Sequence, residues 1–192
     1  MISKWLHLPY AIVAFFVLAT SIPSNARASA GAVHLFVGQK LLDEDDWQPI
    51  DSQFEVGIDA SLGDDDWPVW INVGLFRANA EEELSAVEDL EGTTTEFSLG
   101  INKTWTRHQF RPFLAGGLAF VNSDIEVRDP DEIFEDDDSG AGLYAQGGGY
   151  WRLGKSFNLG GMLRYSVFSD DFEGGGFHVG LIAGYGWPKR RD

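Results

Sequence analysis

Alternation with period two recurs along the chain and restricts its fold more than any other feature. Phe54, Val56, Ile58, Ala60 and Leu62 fall on one face of an extended segment, with Gln53, Glu55, Gly57, Asp59 and Ser61 on the other. The pattern returns at Phe97, Leu99 and Ile101 against Glu96, Ser98, Gly100 and Asn102. It returns again at Phe157, Leu159, Gly161, Leu163, Tyr165 and Val167, and at Phe177, Val179, Leu181, Ala183, Tyr185 and Trp187. Successive side chains of a strand point to opposite faces, so each segment carries one apolar face and one small or polar face. Four less regular runs complete the set: Val33 to Leu41, Val69 to Arg77, Phe110 to Val121 and Gly142 to Trp151. The expectation is eight strands of roughly nine to twelve residues, the length a tilted strand needs to cross a bilayer.

The first thirty residues have a different character. Lys4 gives a short positive region, Tyr10 to Ala19 is nearly all apolar, and Ala28-Ser29-Ala30 supplies small residues of the kind a signal peptidase accepts. This is the layout of a secretory signal, and its apolar run is too short to span a bilayer as a helix. The expected organisation is a signal peptide over residues 1–30, a single barrel domain over 31–187 and a short tail over 188–192. Cysteine is absent, so no disulfide contributes to stability.

The formal charge is −16, and loss of Lys4 and Arg27 with the signal makes the remainder more acidic still. Such a balance argues against nucleic acid as a partner. Beyond the signal no segment approaches the apolar length of a transmembrane helix. A chain like this can enter a membrane only as a closed barrel, because lipid leaves no backbone polar group free to go unpaired.

A soluble lipocalin-like barrel would turn the apolar faces inward, around a ligand. Two features favour the membrane orientation. The apolar faces are large and almost free of charge, whereas the opposite faces are mostly Gly, Ser, Ala, Asn and Gln with isolated charges, which suits a narrow interior. Aromatic residues also gather toward segment ends, at Trp70, Tyr150, Trp151, Tyr165, Tyr185 and Trp187, as interfacial girdles require. The links alternate in length. Leu42 to Ile50, Ala78 to Gly92, Asn122 to Ser139 and Phe168 to Gly175 are long; Gly63 to Pro68, Thr104 to Gln109 and Arg152 to Lys155 are short. Glu81 to Leu90 has helix-forming composition, so a short helix is expected in the second long link.

Arg111 to Phe120 and Leu159 to Tyr165, with the final alternating run Phe177 to Trp187, resemble strands of the small OmpA/OmpX/OmpW-type outer-membrane barrels, often called porin-family proteins. The resemblance covers Gly31 to Trp187. It implies an all-β, eight-stranded antiparallel up-and-down transmembrane barrel, inserted in the outer membrane by the barrel-assembly machinery. It does not imply an enzyme, and the expected setting is a monomer among outer-membrane lipid and lipopolysaccharide, with no cofactor. One departure is that the chain continues past Trp187 with Pro188-Lys189-Arg190-Arg191-Asp192, where the family typically stops at the aromatic.

Strand parity turns Lys40, Glu55, Asp59, Glu96, Arg111 and Arg164 inward. Lys40, Glu55, Glu96 and Arg164 fall in the half nearer the long links and are expected to form a charge network that closes the lumen. Lys40 and Glu55 are expected to meet directly, and Arg164 to reach Glu55 or Glu96 across the interior. An unpaired charge there costs several kcal/mol, so these groups should pair or find water. The rival is a wet, narrow channel in which the same charges stay apart.

Acidic runs mark the long links: Asp43 to Asp46, Glu81 to Glu83, Glu135 to Asp138, and Asp170 with Asp171. Asp43, Asp45, Asp136, Asp137 and Asp138 are candidate oxygen ligands for a divalent cation. No run has EF-hand spacing, and the expected reading is a solvated, mutually repelling surface with no metal site. The four histidines form no metal pair by spacing, and His34 and His178 are expected near opposite ends of the barrel. Ser166, Asp170 and His178 are the candidates for a lipid A-modifying activity. No nucleophile motif accompanies them, so no catalytic residue is assigned.

Overall fold

The computed structural model describes residues 30–42, 51–64, 67–85, 88–106, 108–128, 133–169 and 175–187, with backbone alone over 82–85, 88–91, 125–128 and 133–137. Every regular element among them is a strand: β1 (Ala30–Leu42), β2 (Ser52–Gly63), β3 (Trp70–Ser85), β4 (Glu88–Thr104), β5 (Phe110–Arg128), β6 (Ile133–Leu153), β7 (Phe157–Phe168) and β8 (Gly176–Trp187). Each strand pairs antiparallel with the next, and β8 pairs with β1, so the sheet closes into an eight-stranded barrel. Over the rows that all eight strands share, closure leaves no open sheet edge, and the backbone polar groups of the wall are satisfied within it.

The register sets the barrel's shape. A row of paired residues starting at Gly31 passes through Leu62, Ile71, Ile101, Gly116, Ala145, Tyr165 and Phe177 and returns to β1 at Leu41, ten residues further on. With ordinary strand spacing and rise, that stagger tilts the strands about 40° from the axis.

Parity then sorts the side chains. Leu35, Val37, Leu99, Ile101, Leu114, Leu118, Leu143, Leu159, Leu163 and Leu181 are exposed on the outside, and between them the eight strands form an apolar belt. Inside lie polar residues together with an apolar cluster of Phe36, Phe76, Phe113, Tyr150, Met162 and Ile182. Glycines make room for these rings. A Cβ at Gly57 would collide with the Phe76 ring, and one at Gly38 or Gly180 would come within 2.7 Å of Phe36.

Three expectations are corrected. Glu81 to Leu90 forms no helix: β3 runs to Ser85 and β4 starts at Glu88, and Glu81, Glu82 and Glu83 stay in ladder with Glu91, Leu90 and Asp89. Much of the segment from Asn122 to Ser139 is likewise strand, because β5 and β6 continue to Arg128 and from Ile133. The strands are accordingly 12 to 21 residues long rather than nine to twelve. The four long ones, β3 to β6, exceed the crossing length and project as two extended hairpins. Third, Tyr150 is buried in the lumen and Trp70 is half-buried, lining its end, so neither belongs to an outer girdle. Tyr150 precedes Trp151, and neighbours on a strand cannot share a face. Trp151, Tyr165 and Tyr185 do stand exposed.

The barrel thus has a long-hairpin end and a short-turn end. The short turns are 64–69, 105–109 and 154–156, where Gly154 takes a left-handed φ of 65° in the tightest of them.

Candidate functional site: a closed polar lumen

The interior midsection is built from one cross-strand row. Gln53 on β2 faces Lys40 on β1, Lys40 faces His178 on β8, His178 faces Arg164 on β7, and Arg164 faces Gln146 on β6. All five point inward and are buried. From the opposite wall β4 contributes Thr94 and Glu96, and β2 contributes Glu55 and Asp59 from its next inward positions.

Arg164 is the hub. Its Nε donates to Glu96 Oε1 at 3.1 Å, its Nη2 also contacts that oxygen, and its Nη1 donates to Gln146 Oε1 at 2.9 Å. The guanidinium lies between two rings, 4.1 Å from the centroid of Tyr144 and 4.7 Å from that of Phe76. A planar, delocalised cation suits this position, which offers it a carboxylate, an amide oxygen and two aromatic rings.

From the hub the bonds run in two directions. Gln146 Nε2 donates to Asp59 Oδ2 at 3.1 Å; Asn72 donates to the same oxygen at 3.0 Å and accepts from the Tyr144 hydroxyl at 2.8 Å. On the other side Ser166 Oγ donates to Glu96 Oε2 at 3.2 Å and lies 3.1 Å from His178 Nε2. His178 Nδ1 is 2.8 and 2.9 Å from the two Glu55 oxygens. Lys40 Nζ donates to Thr94 Oγ1 at 3.2 Å, and Thr94 Oγ1 donates to Gln53 at 3.1 Å.

Of the four charges assigned from sequence, Glu96 and Arg164 therefore come together as an ion pair. Lys40 and Glu55 sit in the same network, but each contacts a different partner. In register Lys40 opposes Gln53, while Glu55 opposes Gly38. Glu55 instead meets the ring of His178, which comes from β8 on the other side of β1. His178, Ser166, Gln146, Thr94, Gln53 and Tyr144 are lumen residues that the charge pattern passed over. Their common signal is inward parity, shared with the four charges. His34 lies apart from His178, its Nε2 3.1 Å from Asn158 Nδ2 and its ring 5.0 Å from that of Tyr150.

Glu55, His178 and Ser166 have the spacing of a nucleophile, base and orienting carboxylate. A nucleophile must also meet a substrate, and Ser166 and His178 are both 0% exposed among packed side chains. The arrangement serves to satisfy buried polar atoms. Asp170 lies outside the described residues.

The candidate cation ligands lie only partly among the described residues. Asp43 and Asp45 lie outside the described residues. Asp136 and Asp137 are register partners of Ile125 and Asp124 on the β5–β6 hairpin. Asp138 is exposed, and its Oδ1 accepts the Ser139 N–H at 2.7 Å. The hairpins bring together acids that sequence spacing did not: Glu81, Glu91, Glu126 and Glu135 occupy one cross-strand row from β3 to β6. Like charges in adjacent register positions oppose pairing.

No family model and no curated protein matches the chain. Solved structures do. The attachment invasion locus protein Ail of Yersinia pestis, in complex with the heparin analogue sucrose octasulfate, matches with a TM-score of 0.58 at 13% identity, covering 82% of this chain and 97% of that one. The outer membrane protein OprG of Pseudomonas aeruginosa matches with a TM-score of 0.55 at 12% identity, covering 83% and 96%. The N-terminal β-barrel domain of Pseudomonas aeruginosa OprF matches with a TM-score of 0.51 at 15% identity, covering 83% and 98%. The chain has the fold of the small eight-stranded outer-membrane barrels.

Proposed function

We propose that this chain is an exported outer-membrane barrel with a closed lumen, whose role is structural or surface-interacting rather than catalytic. Its long, acidic hairpins stand outside the cell and its short turns face the periplasm. One observation carries the reading: the wall is apolar outside on all eight strands, while the interior is filled by a bonded polar network. The first suits lipid, and the second leaves little path for solute. Export removes residues 1–30, so the mature chain begins at Gly31 and folds without a cofactor. It is inserted as a monomer by the barrel-assembly machinery, among outer-membrane lipid and lipopolysaccharide.

The protein is expected in outer-membrane fractions and should run faster unheated than boiled on an SDS gel, because a closed barrel resists the detergent until heated. Its intact mass should correspond to a start at Gly31. Recovery from the soluble periplasm would reject the reading.

The acidic hairpins act on this account as a solvated surface. Added Ca²⁺ should leave their proteolysis unchanged at physiological ionic strength. Saturable calorimetric binding of Ca²⁺, abolished by replacing Asp136, Asp137 and Asp138 with Asn, would instead establish a specific cation site.

A further inference from the structure

The short-turn end of the barrel holds a feature that the closed lumen does not use. A cavity of about 310 Å³ opens there, lined by Trp70, Thr106, Arg111, Tyr150, Arg152 and Trp187 among others. Arg111 opposes Tyr150 in the β5–β6 register, and Arg152 is the next residue of the same face. The two arginines are thus diagonal neighbours on the inner wall, within reach of one another's long side chains.

Their partners are few. Among the described residues neither arginine forms an ion pair, and the Nε–H of each is buried without an acceptor. Arg111 also hydrogen-bonds the Tyr150 hydroxyl, but the two cations set side by side repel one another, and an anion between them would offset that repulsion and satisfy the unused donors. Arg164, higher in the same lumen, shows the contrast, since its Nε is satisfied by a carboxylate.

The surrounding wall is shaped around this space. A Cβ at Gly186 would collide with the Arg152 guanidinium, so glycine there lets the side chain lie along β8. Gly31 and Gly63 likewise leave room for the rings of Trp187 and Trp70, and Trp70 is held by its Nε1–H donating to Asp64 O at 3.1 Å. Under the processing proposed above, the amino group of Gly31, which also lines the cavity, adds a further positive charge at the rim.

We propose that this vestibule is a binding site for an oxyanion, a phosphate or carboxylate group borne on a small molecule and entering from the short-turn side. The guanidinium forks of Arg111 and Arg152 match such a group, and the aromatic walls match an apolar or ring-shaped remainder. The volume is at the lower end of those that hold small ligands. The side of the membrane from which the ligand comes rests on the orientation proposed above; binding itself does not.

The test is isothermal titration of the folded barrel in uncharged maltoside micelles, with inorganic phosphate in one arm and succinate in the other. At least one should bind saturably with a stoichiometry near one. The tighter arm identifies the group as phosphate or carboxylate. Arg111→Gln and Arg152→Gln should each weaken binding by about tenfold or more. Arg111→Lys keeps the charge but removes the fork, and should weaken it too; this variant serves if the glutamine variants fail to give the heat-modifiable band. Lys103→Gln, which removes an equal charge from a half-buried lysine outside the cavity lining, bonded to Pro68 O at this end of the barrel, should change nothing. No saturation by either anion, or binding that survives in the double arginine variant, would overturn the proposal. Failure of the outer-membrane localisation would not, because the titration uses purified, folded protein.

Discussion

Arg164→Ala should destabilise the folded barrel by about 3–5 kcal/mol, the range expected when one member of a buried ion pair is removed and the other is left behind. Arg164 has no solvent exposure to soften the loss. Its removal strips Glu96 of its cation, Gln146 of a donor, and the rings of Tyr144 and Phe76 of the group between them. Reversible urea unfolding in lipid vesicles measures the effect. The paired variant Arg164→Leu/Glu96→Leu should lose less than Arg164→Ala, because it leaves no uncompensated charge. It should not recover fully, since Ser166 and Gln146 each lose a partner. A loss under about 1 kcal/mol for Arg164→Ala, the size of an ordinary surface change, would show that the pair is hydrated rather than buried.

The second large effect is expected at the seam that closes the barrel. Gly38 on β1 and Gly180 on β8 are register partners, and the Phe36 ring lies across both. A Cβ at Gly180 would run into the carbonyl oxygen of Val37 and lie 2.7 Å from both Gly38 Cα and the Phe36 ring. Backbone cannot give way as a flexible side chain can. Gly180→Val should therefore cost at least the upper part of the about 1–3 kcal/mol range for overpacking, and most of the heat-modifiable folded band should disappear. Gly161→Ala is the control, because its nearest new contact, Gly180 O, is an ordinary 3.5 Å away. Equal folding of the two variants would mean that the seam is not packed as described.

These two sites also show what the sequence makes legible. Period-two alternation identifies the wall and its faces, because a strand's parity is a local property of the backbone. It places Arg164, Glu96, Lys40 and Glu55 inside for that reason. Which inward residues touch depends on register and stagger, and these are properties of the closed sheet. Lys40 and Glu55 sit on paired strands, yet Lys40 lies level with Gln53 and His178. The contact between His178 and Glu55 arises only where β8 closes onto β1 and brings a residue of the last strand to one of the second.

Strand ends were harder to read than strand faces. The segment from Asn122 to Ser139 is rich in Asp and Glu, which are poor strand formers, and Glu81 to Leu90 has helical composition. Both nevertheless continue the ladders of β3–β4 and β5–β6. Once the wall fixes the register, each further pair adds to an existing ladder, and tertiary pairing overrides local preference. The same limit applies to Tyr150, whose place near a segment end is that of a girdle residue. The parity of Trp151 beside it sends Tyr150 inward, where it packs against His34 and Phe113.

The central claim is a lumen closed by side chains, and single-channel recording in planar bilayers tests it most directly. The wild-type barrel should show little steady conductance, and Arg164→Ala should produce openings that the wild type lacks. Large, persistent openings in the wild type, unaltered by Arg164→Ala, would contradict the account.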